Sequence, residues 1–125
     1  MKSCTMTEYI FDTYAIIEII EGNQSYEKFI DDEILINEFI FAELCYNLIK
    51  FDYPKKDYYL EKYKSFITNI DSEVIRKAME FRYANKKKKM SMTDCVSYFQ
   101  AKKLEIKFLT GDKEFENLDN VEFVK

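Results

Sequence analysis

Four acidic residues could do chemistry together: Asp12 in Phe-Asp-Thr, Asp94 in Thr-Asp-Cys and Asp112 in Thr-Gly-Asp, which stand where a strand ends, a helix begins or a turn forms, and Glu43 in Ala-Glu-Leu, within a helical stretch. They lie far apart in the chain, so only the fold can gather them. Gathered carboxylates repel one another unless a cation neutralises the charge. Oxygen ligands without His or Cys select a hard ion, Mg²⁺ or Mn²⁺. The chemistry such a site does best is phosphodiester hydrolysis, since bound ions make hydroxide from water, polarise the phosphate and stabilise the leaving oxygen without a histidine base.

Each acid also has a purely structural reading. Asp12 before Thr13 can cap a helix, Asp94 can complete a Ser91-x-x-Asp94 capping box, Asp112 can shape the turn at Gly111, and Glu43 can be a solvated helix position. What favours a shared role is placement. Asp12 follows the first strand-like run and Asp112 comes three residues after Leu109, both at carboxyl ends, where open α/β sheets bind ligands.

Composition removes the main competitors. The chain has no histidine, which excludes Ser-His-Asp and Cys-His catalysis and His-liganded zinc. Its two glycines, Gly22 and Gly111, are too few for a GxGxxG turn or a P-loop. Cys4, Cys45 and Cys95 are widely spaced and odd in number, so they read as buried thiols and not as a zinc site or disulfide framework. The net charge of −4 is unevenly sorted: residues 1–50 carry a local −7, residues 51–110 a local +6, and the last fifteen −3. An acidic pocket beside a basic surface fits that pattern.

The elements that must hold these residues are legible as alternating runs. Strand-like segments at 9–11, 34–36, 106–109 and 121–124 alternate with helical stretches at 38–50, 55–68, 73–85 and 93–103, which predicts a parallel sheet covered by helices. A short strand is expected near 68–70. Pro54 separates the first two of these helices, and Asp71-Ser72-Glu73 supplies a cap for the third. Helix 38–50 is mostly apolar and is expected to be buried around most of its circumference, with Glu43, Asn47 and Lys50 forming one polar arc toward solvent or a cleft. At 125 residues, 47% hydrophobic, the chain is expected to form one globular domain over 1–125. No apolar run approaches the roughly 20 residues of a membrane span, and residues 1–7 lack the apolar core of a signal peptide, so a soluble cytoplasmic protein is expected.

Four strings carry a family resemblance: Glu8-Tyr9-Ile10-Phe11-Asp12-Thr13; Asn37 with Phe41-Ala42-Glu43-Leu44; Met90-Ser91-Met92-Thr93-Asp94-Cys95; and Phe108-Leu109-Thr110-Gly111-Asp112-Lys113-Glu114-Phe115. In order and spacing they resemble the motifs of PIN domains, especially prokaryotic VapC-like ones. The resemblance implies a three-layer α/β/α fold with a central parallel sheet and an endoribonuclease that uses Mg²⁺ or Mn²⁺. It makes Asp12, Glu43, Asp94 and Asp112 the catalytic metal ligands, with Thr13, Ser91 and Thr110 as supporting hydroxyls. Many relatives are toxins that act as homodimers and are silenced by a small antitoxin. A further acid found in some relatives corresponds here to Glu114 or Glu116, or is missing.

Two other readings stand beside this one. A PIN fold can bind RNA or protein without cutting. A receiver domain also gathers acids at a sheet edge, but it needs an acidic pair after the first strand, where Phe11 is followed by a single acid. The run Lys86, Lys87, Lys88 and Lys89 is either a solvated loop or an RNA-binding element whose cations release counterions from phosphates. Tyr53, Tyr58, Tyr59 and Tyr63 could stack bases, or could mark an amphipathic helix.

Overall fold

A computed structural model describes residues 8–124. Residues 1–7, with Cys4 and the segment weighed above as a signal peptide, lie outside the described residues. The element order is β1 (Glu8–Phe11), α1 (Thr13–Ile20), a 3₁₀ turn (Gln24–Phe29), β2 (Glu33–Leu35), α2 (Glu38–Lys50), α3 (Lys56–Lys64), α4 (Ser72–Ala84), α5 (Met92–Lys103), β3 (Lys107–Thr110), a second 3₁₀ turn (Lys113–Phe115) and β4 (Val121–Phe123).

The four strands form one parallel sheet in the order β2-β1-β3-β4, with Tyr9 opposite Ile34 and Lys107, and Phe108 opposite Val121. Parallel strands joined through helices must be covered on both faces. The burial pattern shows this directly. Ile10 and Phe11 point to opposite faces, as do Phe108 and Leu109, and all four are fully buried. The expected α/β architecture with helices on either side of a parallel sheet is therefore present.

The chain's path also locates the site. After β1 it moves outward to β2, then returns past β1 to reach β3, so the connections diverge between β1 and β3. Ligands of open parallel sheets bind at the carboxyl edge of such a switch point. Asp12 and Asp112 stand there, one after each strand.

Capping side chains fix the helix starts. Asp12, Asn37, Asp71 and Ser91 each accept a backbone N–H from the first turn of α1, α2, α4 and α5 respectively. With so few glycines, left-handed backbone falls to Asp52, Lys55, Glu105 and Asn120, at φ between 47° and 64°. Asp52 and Asn120 tolerate that conformation through their short polar side chains; Lys55 and Glu105 carry its steric cost.

Three expectations are corrected. Helix α2 buries only the narrow stripe Ile40, Leu44 and Leu48, while Tyr46 and Ile49 on it and Phe51 just after it are more than 60% exposed. An apolar composition does not fix how much of a helix is covered. The strand expected at 68–70 is reduced to a single bridge between Ile36 and Ile67, because the carbonyls of Thr68 and Asn69 accept instead from the Gln100 side chain. The helix expected to reach residue 68 stops at Lys64, burying Tyr63 and leaving Tyr58 exposed. Of the described thiols, Cys95 is buried as expected and Cys45 only partly so. Among the described residues no helix is long and apolar enough to cross a membrane.

Candidate active site

Asp12 is built into the structure more deeply than any other acid of the site. Its backbone N–H extends the sheet ladder to Leu109 at 3.0 Å. Its Oδ1 caps α1 by accepting from Ala15 at 2.7 Å, and its Oδ2 accepts from the Thr110 hydroxyl at 2.6 Å. The capping role and a place in the cleft are thus both true of Asp12. At 4% exposure, burial raises its pKa to about 6, against hydrogen bonds from Thr110, Ala15 and Gly111 that favour the anion.

Thr110, fully buried at the end of β3, is the hinge between two acids. While donating to Asp12, its hydroxyl accepts the Asp112 backbone N–H at 3.0 Å. The Asp112 carboxylate in turn accepts from the Glu114 N–H at 3.0 Å, so the turn after β3 holds it in place. Gly111 between them is demanded by close approach: a Cβ would stand 2.9 Å from the Val124 carbonyl and 3.1 Å from the Tyr26 hydroxyl.

Glu43 reaches the same place from the second turn of α2, where its Oε1 accepts from the Thr13 hydroxyl at 2.7 Å. Asp94 arrives on the first turn of α5, whose start Ser91 caps at 3.0 Å. A buried polar network sets these two helices against each other. Asn37, the cap of α2, donates to Ser97 at 3.0 Å and Gln100 at 2.9 Å, both on α5. No buried side-chain polar atom among the described residues lacks a partner, so the network is fully satisfied and specifies one arrangement.

The result is a cleft of about 510 Å³ lined by Asp12, Glu43, Asp94 and Asp112, with Thr13 and Ser91 also on its wall. Thr110 lies beneath, acting on Asp12 and Asp112. Of the polar arc on α2, Glu43 and Asn47 line the cleft and Lys50 is exposed. The cleft's apolar wall, Tyr14 and Ile17, went unread in the sequence, although their three-residue spacing just after Asp12 puts them on one helix face. Glu114 and Glu116 do not line it. Nor does the lysine run, which forms the turn after α4.

The electrostatics are those of crowded anions. Asp94 is held well above the usual carboxylate range by burial first, then by the charge of Asp12, a hydrogen bond shared with Asp112, and the charges of Asp112 and Glu43. Among the described residues no three acids are drawn together tightly enough to form a ready-made ion cage. The donor set nevertheless suits a hard divalent cation. It is all oxygen, it carries up to four negative charges, and the repulsion that raises Asp94 is what such a cation relieves.

The comparisons with known proteins bear on the fold and the family. In sequence, the chain matches none of the curated proteins compared with it. In structure it is similar to a toxin-antitoxin complex from Klebsiella pneumoniae, at 17% identity and a TM-score of 0.75 over 91% of this chain and 95% of that one. It is also similar to VapBC2 from Rickettsia felis bound to a promoter DNA fragment, at 20% identity and a TM-score of 0.71 over 95% and 100% of the two chains. A third similar structure is Mycobacterium tuberculosis VapC20, described as a Sarcin-Ricin loop cleaving toxin, at 12% identity and a TM-score of 0.75 over 94% and 99%. At these identities the TM-scores show a shared fold and no more. The PIN domain family model matches residues 9–121, from the first strand to the last, and the receiver reading falls with that match. The chain belongs to the PIN domain family.

Proposed function

We propose that this PIN domain, one domain spanning the chain, is a metal-dependent endoribonuclease and the toxin of a toxin-antitoxin pair acting in the cytoplasm. The observation that carries the reading is that Asp12, Glu43, Asp94 and Asp112, from four separate segments of the fold, line one cleft at the carboxyl edge of the sheet. In this reading the four hold Mg²⁺ or Mn²⁺, which supplies an activated water and charge neutralisation at the scissile phosphate. Thr110 fixes the orientation of Asp12 and Asp112, and Thr13 that of Glu43. Ser91 fixes the start of the helix that presents Asp94.

The toxin reading is supported by the similar structures described as toxin-antitoxin complexes, and the RNA substrate by VapC20's description. A small antitoxin and a second copy of the chain are the partners this implies. A PIN fold that binds without cutting would keep the same cleft.

Cleavage separates the two. Repurified protein incubated with single-stranded and hairpin RNA should cut in millimolar Mg²⁺ or Mn²⁺, stop in EDTA, and resume when the ion is restored. RNA left intact under all three conditions makes the domain a binding module; cutting undiminished in EDTA removes the metal.

A further inference from the structure

A second depression, of about 290 Å³, lies beside the cleft and is lined by Met79, Arg82, Tyr83, Lys86, Lys88 and Met90. It is formed where α4 ends. The chain there turns back through Asn85, whose side chain donates to the Phe81 carbonyl at 2.9 Å, and through a backbone bond from Lys88 to Asn85 at 2.8 Å. These bonds split the lysine run in two: Lys86 and Lys88 face the depression, while Lys87 and Lys89 do not line it.

Three cations, one exposed aromatic ring and no acid make up its polar lining. Tyr83 is 71% exposed, and the Lys86 ammonium sits over its ring at 4.4 Å from the centroid. Arg82 is anchored by its Nε, which donates to the Met90 carbonyl at 3.1 Å, leaving the terminal nitrogens of its guanidinium for another partner. A planar ring with one face under Lys86 and its other side exposed, beside an anchored Arg82, matches a nucleotide, whose base stacks on an aromatic face while its phosphate meets Arg and Lys. An acidic peptide would use the cations but not the ring.

Position ties this depression to the cleft. Met90 lines this depression and Ser91, the next residue in the chain, lines the carboxylate cleft. We infer that Arg82, Tyr83, Lys86 and Lys88 form a nucleotide subsite that holds the RNA strand next to the phosphate in the carboxylate cleft. The inference rests on the nuclease reading for its substrate, but binding can be measured without cleavage.

The test uses the full chain and a fluorescein-labelled single-stranded RNA of about twelve nucleotides, followed by anisotropy in EDTA so that nothing is cut. Three variants are compared with the parent: Lys86→Ala with Lys88→Ala, Tyr83→Leu, and Lys87→Ala with Lys89→Ala. All these side chains are exposed, and equal thermal melts would show that the fold is kept. The Lys86/Lys88 pair and Tyr83→Leu should each weaken binding about tenfold, within the usual range for lost phosphate contacts or one lost stack. The Lys87/Lys89 pair should change it less than twofold. Loss of two phosphate contacts should also flatten the log-log salt slope by about 1.4. In Mg²⁺ the Lys86/Lys88 pair and Tyr83→Leu should raise KM while kcat stays at the parent value, and the Lys87/Lys89 pair should leave KM within about twofold of the parent. Equal losses from both lysine pairs would replace the subsite with diffuse charge attraction, and parental binding by the Lys86/Lys88 pair or by Tyr83→Leu would overturn it. If the parent binds RNA through these residues but never cuts it, the nuclease reading fails and the subsite stands.

Discussion

Asp94→Asn should abolish RNA cleavage while leaving the metal-free fold at least as stable as the parent. Asp94 caps nothing with its side chain; the helix start is held by Ser91 and the Asp94 backbone. Its carboxyl is crowded by Asp12, Asp112 and Glu43. The amide of Asn keeps the shape, is neutral without having to take up a proton as the crowded carboxyl must on folding, and can donate to the Asp112 carboxylate, a change worth on the order of 1 kcal/mol in favour of the apo variant. A divalent ion reverses the order. At a concentration 100 times its Kd, an ion that binds only the native state stabilises the parent by about 2.7 kcal/mol, and the variant should lose most of that gain. Activity should fall by more than the roughly 10–100-fold typical of losing an outer-shell partner of a metal ligand. Thermal melts with and without Mg²⁺, with a cleavage assay beside them, read all three effects. A clearly destabilised apo Asp94→Asn would mean that Asp94 serves the fold; one that still cuts at the parental rate would remove it from the site.

Thr110→Val should damage both stability and activity without touching a carboxylate. The substitution keeps the branched shape but deletes the hydroxyl that donates to Asp12 and accepts from the Asp112 backbone. At a fully buried position, an Asp12 oxygen and the Asp112 N–H each lose that partner. Such losses cost about 1–3 kcal/mol apiece where water cannot replace the bond. With Asp12 and Asp112 no longer tied together, cleavage should drop about 10–100-fold, the range seen when outer-shell partners are removed. Thr110→Ser retains the hydroxyl and should recover most of the activity at a modest packing cost. Chemical denaturation and the cleavage rate, measured on both variants, check this. If Val and Ser variants cut equally well, Thr110 has no positioning role.

How much of this was open to sequence reading follows from the range of the interactions. The sheet was legible because short apolar, aromatic-rich runs are bounded by local signals. The caps Asn37, Asp71 and Ser91 announce α2, α4 and α5 within three residues of where those helices begin. Asp12, Asp94 and Asp112 could be placed near one edge because strand ends and a helix start fix them locally. That Glu43 and Asp94 line the same cleft depends on pairings such as Asn37 with Gln100, 63 residues apart, which no local pattern encodes. The same range limit explains the misread helix faces. Tyr46 and Ile49 look like core residues in an apolar stretch, yet only the packing of α1 and α3 against α2 decides which stripe is covered. The lysine run gave a charge signal but not its division into Lys86 and Lys88 on one side and Lys87 and Lys89 on the other, which is set by the turn at Asn85.

The most direct measurement is Mn²⁺ binding itself, by electron paramagnetic resonance of the free ion in titrations of the parent and of Asp12→Asn, Glu43→Gln, Asp94→Asn and Asp112→Asn. The expected result is saturable binding to the parent that each single substitution weakens by tenfold or more, with cleavage lost in parallel. Binding that survives all four substitutions unchanged, or a parent that takes up no Mn²⁺ at millimolar concentration, would contradict a shared metal site in the cleft.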